Sequence, residues 1–314
     1  MGMTDILSDY TFQVVLAGTV VLGILCGVMG CFIVLRREAL LGDGIAHSAY
    51  PGIILAFMIL GVKDLEGLLL GAFVSALVAL MIILGALRYT RLPFDGLLAS
   101  VLSGFFGFGI VLVSIVQRAG NSHQAGLKQF IFGQASTILY RDVLFIVCLA
   151  IPIILLTITF WKELKIAAFD PEYGQALGFP MNRLHALLGF MVTITVLSAL
   201  QAVGIILMSA MLVAPAVGAR QWTEKLGTMV VTAAVCGGIA SAGGTYISSL
   251  EGKLPTGPVI VILAVLFVVF SLLFAPKRGL IMQYRHRRGL AKAVEENDVG
   301  ALLDEDVLPD GRRD

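Results

Sequence analysis

The fold follows from one apolar run near the start of the chain, FQVVLAGTVVLGILCGVMGCFIVL, which occupies residues 12–35. It carries no charge and exceeds the roughly 20 apolar residues that a helix needs to cross a bilayer. The ten residues before it, MGMTDILSDY, are acidic. They lack the basic start of a cleaved signal peptide, and the run is too long for the core of one. We therefore expect a retained first membrane span.

The composition extends this expectation to most of the chain. Of 314 residues, 58% are hydrophobic and 14% are charged, whereas soluble domains carry roughly 25% charged residues. A segment that contacts lipid must have its backbone hydrogen bonds formed within the protein, and long apolar runs achieve this by folding as helices. The sequence therefore predicts an all-α polytopic integral membrane protein embedded in the lipid bilayer. The net charge of +1 gives no indication of a nucleic-acid partner, and none is expected.

Nine apolar windows follow one another along the chain: 12–35, 40–60, 67–87, 96–116, 143–161, 184–200, 203–217, 227–249 and 258–274. The sixth and seventh are joined only by residues 199–202, so they form either a tight hairpin or one long broken helix. We expect about nine transmembrane helices, with eight possible. The shorter piece Gln129–Leu139 is too short to span and is expected to be re-entrant or interfacial.

The distribution of Lys and Arg predicts the orientation of the bundle. One alternating set of connections is the more basic: Arg36-Arg37, Arg88 and Arg91, Lys162 and Lys165, Arg183, Arg220 and Lys225, and Lys277-Arg278. Because cytoplasmic loops are enriched in these residues, we place that set inside the cell. The N-terminus is then outside and the C-terminus cytoplasmic, which agrees with the basic residues Arg285-His286-Arg287-Arg288.

The chain divides into two parts by polarity. Residues 1–278 form the expected transmembrane domain, and residues 279–314 form a polar cytoplasmic tail that becomes acidic towards its end. We expect this tail to be partly disordered because it has little to bury.

Ionisable residues are rare inside the apolar windows, and the exception is GDGIAHSAYPG at residues 42–52. Asp43 and His47 are four residues apart, so they share one face of a helix. A carboxylate and a neutral imidazole suit Mn²⁺, Fe²⁺ or Zn²⁺. Pro51 has no N–H for the carbonyl of His47, so a helix opened there would add a backbone oxygen. The alternative is that Asp43 caps the helix or pairs with Arg36 or Arg37.

A predicted cytoplasmic loop carries a second pattern, AAFDPEYGQALGFP at residues 167–180. Asp170 suits a helix N-cap, Pro171 the first helical position and Glu172 the first turn, while Gly178 suits the end of the helix. The pattern predicts a surface helix of about two turns between two spans. Taken alone, this would most simply be an ordinary loop helix.

The run MSAMLVAPAVGAR at residues 208–220 places small residues at positions 210, 214 and 218, which indicates close helix packing. Pro215 frees the carbonyl of Met211 and marks a second possible kink. The four cysteines, Cys26, Cys31, Cys148 and Cys236, lie in apolar runs without metal-binding spacing. No nucleotide-binding P-loop, zinc-protease motif or serine nucleophile motif occurs, so neither an ATPase nor a catalytic site is expected in this chain.

These segments resemble the permease subunits of the manganese, zinc and iron family of ABC importers, over about residues 12–281. The resemblance rests on the 42–52 motif, on Phe169-Asp170-Pro171-Glu172, on Leu212 to Ala216 and on FAPKRG at 274–279. It implies that Asp43 and His47 bind the transported metal. Pro51 and Pro215 are then candidates for the pathway or for helix kinks.

The resemblance also implies partners and a location. A cytoplasmic ATPase subunit would bind the docking segment, with Phe169, Asp170, Pro171, Glu172, Gly174 and Gly178 as contact residues. Tyr173 and Gly174 replace alanines that are usual there. An extracytoplasmic metal-binding protein would deliver the ion to a homodimer or pair of permeases in the bacterial inner membrane. No permanent cofactor is expected; ATP would belong to the partner subunit.

The sequence leaves the transported substrate open. Mn²⁺ is favoured by the resemblance, and Zn²⁺ or Fe²⁺ fit the same donors. A permease for a chelated metal or a cobalamin-type substrate would share the docking helix but would have no use for Asp43 and His47. An autonomous secondary metal transporter would need no docking helix, and an intramembrane enzyme lacks its motifs.

The orientation has a direct test. In a variant without native thiols, Ser122→Cys and Gln175→Cys should react with a membrane-impermeant maleimide from opposite sides of the membrane. The reason is that residues 120–124 follow an outward span and residues 171–178 belong to a basic loop. Reaction of both cysteines from the outside would contradict the orientation.

Overall fold

A computed structural model describes residues 9–61, 65–118, 138–250, 254–276 and 279–284, and within these ranges all regular structure is helical. The helices are α1 Tyr10–Leu35, α2 Leu41–Leu60, α3 Leu65–Tyr89, α4 Phe94–Arg118, α5 Tyr140–Thr159, α6 Trp161–Phe169, α7 Pro171–Ala176, α8 Met181–Val203, α9 Ile205–Trp222, α10 Leu226–Leu250 and α11 Thr256–Phe274. The predicted outer residues 120–124, nearly all of the 129–139 piece, the basic cluster 285–288 and most of the polar tail lie outside the described residues.

The helix boundaries follow ordinary capping rules. Asp9 precedes α1 and accepts a hydrogen bond from the backbone N–H of Thr11 at 2.9 Å. Gly61 ends α2 with φ +66°, the left-handed conformation that favours glycine at a helix C-terminus. Between these caps the runs are apolar on nearly every face, as expected for helices surrounded by lipid and other helices.

Eight helices in the described part of the chain are long and apolar enough to cross a membrane. They are the predicted spans other than the seventh window, which is α9. This helix runs beside α11: Val203, just before α9, lies against Gly257, and Trp222 at its end donates a hydrogen bond to Ser271 at 2.9 Å. Since α11 is one of the eight, α9 has the position of a ninth span.

The junction between α8 and α9 is a hairpin with a single linking residue, Gly204. The sequence placed this junction at residues 199–202, but α8 continues through them to Val203. Gly204 has φ 82° and ψ 167°, a conformation that is essentially restricted to glycine. The chain therefore turns at Gly204, which can adopt this conformation, and not at residues 199–202.

The two ends of the bundle are distinguished by their contacts. At one end, residues from four elements line one cavity: Arg36, Phe169, His185 and Arg220. We call this the cavity end. At the opposite end, Arg141 at the start of α5 forms an ion pair with Glu66 at the start of α3. The long helices alternate between the ends, so that α1 begins opposite the cavity end and α11 finishes at it. The predicted basic connections of the described part lie at the cavity end.

Glycines bring helix backbones into direct contact at the centre of the bundle. Gly23 and Gly27 of α1 lie against the backbone carbonyls of Gly237 and Ala233 in α10. The hydroxyls of Thr19 and Thr245 bond at 2.9 Å across the same pair of helices. Because lipid is as apolar as the side chains, close packing and such bonds hold membrane helices together.

The predicted small-residue stripe of α9 is confirmed as a packing surface. Ala214 is buried in a cluster with Ala240 and Ala264. The backbone of Gly218 faces the ring of Phe267, where a Cβ would overlap the ring. The stripe therefore joins α9 to α10 and α11.

We expect Gly27→Ala to destabilise the protein, because the new Cβ would overlap the carbonyl of Ala233. Overpacking of this kind costs about 1–3 kcal/mol, more than the gain in helix propensity of up to about 1 kcal/mol. The control is Gly85→Ala, where nothing lies within 4 Å of the new Cβ. Thermal unfolding in detergent should show a lower Tm for Gly27→Ala only. Equal Tm values for the two variants would contradict the close packing of α1 on α10.

Candidate functional site

Asp43 and His47 lie in the first two turns of α2, yet they are at the middle depth of the bundle. The carbonyl of the next residue, Ser48, accepts a hydrogen bond at 2.6 Å from Ser75, which is near the middle of α3. The ring of His47 packs edge-on against Phe106, midway along α4, with 4.8 Å between ring centroids. These contacts with the middle of α3 and of α4 place the two side chains at this depth.

The two side chains converge on one point. Oδ1 of Asp43 is 3.5 Å from Nε2 of His47, at the outer limit for a hydrogen bond. The side chains are 29% and 18% exposed, so both keep a path to an ion or to water. Nδ1 of His47 is buried without a hydrogen-bond partner among the described residues. The contact between the side chains of Asp43 and His47 is therefore weak.

The alternative roles of Asp43 do not match the geometry. The residue before α2 is Leu40, and Asp43 lies inside the first turn, where it makes no capping bond. Arg36 pairs with Glu38 instead, with 2.6 Å between Nη2 and Oε1. Within the described ranges, the ion-pair partner found for Asp43 is His47.

The two prolines lie inside continuous helices. Helix α2 runs unbroken past Pro51, and α9 runs unbroken past Pro215, so a helix opened at the carbonyl of His47 is not what the structure has. Close contact with α3 supports α2 here, because Gly52 lies against the carbonyl of Gly71. The roles of both prolines in a pathway remain predictions.

Sequence reasoning missed Ser75 and Phe106. Ser75 fixes the backbone beside His47, and Phe106 fixes its ring. A serine and a phenylalanine in apolar spans give no signal of their own, and both lie on other helices. No pattern within the 42–52 motif could have identified them.

Two protein ligands do not complete a metal site. Among the described residues no group of three or more His, Cys, Asp or Glu side chains comes together. Mn²⁺, Fe²⁺ and Zn²⁺ take four to six donors. The remaining donors would therefore be water, backbone carbonyls or groups from a second chain.

The predicted surface helix is confirmed as α7, with the caps that the sequence indicated. The carboxylate of Asp170 accepts a hydrogen bond at 2.9 Å from the N–H of Tyr173, and Pro171 occupies the first helical position. Gly178 has φ +86°, as expected after a helix end. The helix has six residues, slightly fewer than predicted.

The glycine that departs from the usual docking sequence has a packing role. Gly174 is buried, and a Cβ there would overlap the side chain of Met181 at the start of α8 and press on Ile166 of α6. Alanine would require the side chains of Met181 and Ile166 to move. Gly174 therefore lets α7 lie flat against the neighbouring helices.

An exposed apolar row on this segment was also missed. Phe169, Tyr173 and Leu177 are 48%, 57% and 53% exposed and follow one another at intervals of four residues. Glu172 is exposed beside them. Three large exposed apolar side chains within nine residues indicate a surface that contacts another protein or the membrane. The spacing was visible in the sequence, but the exposure was not.

Comparison with known proteins gives concordant results. The model of the ABC 3 transport family matches residues 8–275. The chain is 43% identical over 295 residues to the zinc transport system membrane protein TroC of Treponema pallidum, covering 94% of this chain and 99% of that protein. It is 41% identical over 268 residues to the manganese transport system membrane protein MntC of Bacillus subtilis, covering 85% and 62%.

The fold is also similar to a solved structure. PsaBC from Streptococcus pneumoniae in complex with Fab aligns with a TM-score of 0.76 and 31% sequence identity, covering 88% of this chain and 96% of that chain.

Proposed function

This chain belongs to the ABC 3 transport family, and we propose that it is the permease of an ATP-driven importer that passes a divalent metal ion into the cytoplasm. The observation that carries the proposal is the convergence of Asp43 and His47, both partly exposed, at the middle depth of a multi-pass bundle. A carboxylate at that depth costs roughly 2.5–3.5 kcal/mol on insertion scales, which a passing cation would offset.

At this point the ion would exchange part of its hydration shell for protein donors. The carboxylate of Asp43 supplies an oxygen and offsets charge, and the imidazole of His47 supplies a nitrogen. Phe106 holds the ring and limits its motion. We propose that a second permease, the same chain or a paired one, contributes further donors across a central pathway, because the described part of this chain brings only two side-chain donors together there.

The donor chemistry narrows the substrate. A carboxylate and an imidazole disfavour Cu(I), which prefers thiolate and thioether ligands. Relatives are named for zinc and for manganese transport. We favour Mn²⁺ because of the family resemblance of the sequence motifs. Zn²⁺ and Fe²⁺ are the other candidates, since all three ions accept mixed oxygen and nitrogen ligands.

We further propose that a cytoplasmic ATPase docks on residues 169–178. The support is the capped helix α7, the exposed residues Phe169, Tyr173 and Leu177 in and beside it, and the packing of Gly174 on Met181. The contact set would comprise Phe169, Asp170, Pro171, Glu172 and Gly178, while the predicted contact residue Gly174 is buried and would act by seating α7 on its neighbours. A solute-binding protein would deliver the ion at the opposite end, and the location would be a bacterial inner membrane.

Two alternatives make different demands on the chain. A permease for a chelated metal or cobalamin-type substrate would have no use for a convergent Asp43 and His47. A secondary transporter would work without an ATPase. Uptake that requires ATP and a co-purifying ATPase excludes the secondary transporter, and uptake of the free ion excludes the chelate.

The metal role is tested by Asp43→Asn in reconstituted vesicles with Mn²⁺, Zn²⁺ and Fe²⁺ in competition. We expect uptake to fall more than about tenfold, since loss of even an outer-shell partner of a metal ligand costs 10–100-fold. Asn keeps the shape of Asp, so expression should be unchanged. The control is Asp95→Asn, another first-turn carboxylate, which is exposed on α4. Equal uptake by both variants would remove the metal role of Asp43.

The docking role is tested by Glu172→Arg. We expect the permease to fold, because an exposed charge near a helix N-terminus is worth only about 0.3–1 kcal/mol. Metal-stimulated ATP hydrolysis in the reconstituted complex should fall several-fold, because the reversed charge lies at the proposed contact. Asn182→Arg, exposed at the start of α8 and outside residues 169–178, is the matched control for added positive charge and should leave hydrolysis unchanged. Wild-type hydrolysis in the Glu172→Arg complex would refute the assignment.

A further inference from the structure

A cavity of about 690 Å³ opens at the cavity end of the bundle. It is bounded by the turn after α1, the α6–α7 segment, the start of α8 and the end of α9. The residues that line the cavity include a basic group and an apolar group. Arg36, Arg37 and Arg220 form a basic part, and Val34 and Ala168 belong to an apolar part. None of these residues has a role in the metal site.

The cavity carries more positive than negative charge. Glu38, the acidic residue in its lining, bonds Nη2 of Arg36 and leaves Nε and Nη1 of that guanidinium buried without partners among the described residues. Nε2 of His185, in the same lining, is also buried without a partner. The neighbouring carboxylate of Asp170 is engaged as the cap of α7. Arg220 already donates from Nη1 to the carbonyl of Glu224 at 3.2 Å, so the buried nitrogens of Arg36 and the exposed guanidinium of Arg37 are the groups that favour an anionic occupant.

The chain itself contains a complementary segment that the proposed function does not use. Residues 302–308 read LLDEDVL, with three consecutive acidic residues between two apolar pairs. The acidic side chains are opposite in charge to Arg36 and Arg37, and the leucines and valine are compatible with the apolar lining. A sequence with both features suits this cavity better than a simple acidic run would.

The position of the segment along the chain permits the contact. Helix α11 finishes at the cavity end, where Ser271 bonds Trp222, two residues after Arg220 of the cavity. Asp304 follows Tyr284, the last described residue, by twenty positions, and an extended chain of that length reaches up to about 66 Å. A tethered ligand is present at an effective concentration in the millimolar range, so even a weak contact would be populated.

We propose that residues 302–308 dock in the basic cavity and cover Phe169 and Pro171, which also line it. The tail then occupies the surface that the ATPase would use, and restrains docking until it is displaced. This consequence rests on the proposed function, whereas the contact itself does not.

Disulfide cross-linking in the full-length chain tests the contact. In a variant without native thiols, Leu303→Cys is combined with Phe169→Cys, which lines the cavity, or with Gln175→Cys, which is exposed on α7 outside it. We expect the Phe169 pair to form a disulfide at least about tenfold faster at low salt, and this advantage should shrink near 1 M salt as charges are screened. Equal rates for the two pairs at low salt would overturn the proposal.

A charge swap supplies the second measurement. Glu305→Arg and Arg37→Glu should each slow the Phe169 cross-link several-fold, and the double variant should recover much of the rate. Arg37 is exposed, so its substitution should leave the fold intact. Loss of rate in both single variants without recovery in the double variant would contradict a direct charge contact.

The lipid environment separates the tail from a competing anion. The cross-link is measured in nanodiscs of phosphatidylcholine alone and with about one third phosphatidylglycerol, whose headgroup also attracts arginine. Persistence in both supports the tail as occupant. A fall to the Gln175 rate in the anionic nanodiscs would assign the cavity to lipid headgroups and refute the proposal.

A final measurement separates this proposal from the proposed function. Replacing Asp304, Glu305 and Asp306 with Lys should raise the amount of co-purifying ATPase several-fold. If the cross-link forms as expected but no ATPase co-purifies with either tail, the tail contact stands and the proposed function fails.

Discussion

Close backbone contact between helices is the constraint on which the arrangement depends. In lipid, apolar side chains gain little by moving from acyl chains to one another, so helix positions are set where backbones can touch. Helix α1 makes such contacts on two sides, through Gly23 and Gly27 with α10 and through Gly30 with the carbonyl of Leu212 in α9. Gly42, at the start of α2, packs on the side chain of the same Leu212. The glycines of α1 thereby determine how deep α2 begins, and with it the depth of Asp43.

The depth of Asp43 explains why its neighbours matter. An ionised carboxylate away from water needs compensation, and here the compensation is incomplete: His47 is 3.5 Å away and no arginine is paired with Asp43 in the described part of the chain. A structural carboxylate would be expected to have a closer partner. Partial exposure and one weakly held imidazole suit a group that binds a mobile cation in turn.

The sequence was sufficient for what depends on residues close together in the chain, and insufficient for what depends on helix pairing. Apolar runs predicted the spans, the four-residue spacing of Asp43 and His47 predicted their convergence, and Asp170 with Pro171 predicted α7. The hydrogen bond from Ser75 and the ring contact of Phe106 join helices that are distant in sequence, so no local pattern contains them. The α8–α9 junction was misplaced because residues 199–203 are compatible with a helix, and only the backbone conformation of Gly204 marks the turn.

A series of tight contacts links the docking segment to the candidate metal site. Gly174 of α7 lies against Met181 at the start of α8. Further along α8, Gly189 lies against Leu80 of α3, and five residues before Leu80, Ser75 bonds the carbonyl of Ser48 beside His47. At both glycines a Cβ would overlap the end of the neighbouring side chain, so the helices approach closely there. Because packed helices move as rigid bodies and not by gradual deformation, a displacement of α7 has to be accommodated by α8 and α3 before it reaches α2. Close contacts at Gly174 and Gly189 thus place the proposed docking surface and the proposed metal ligands on connected helices.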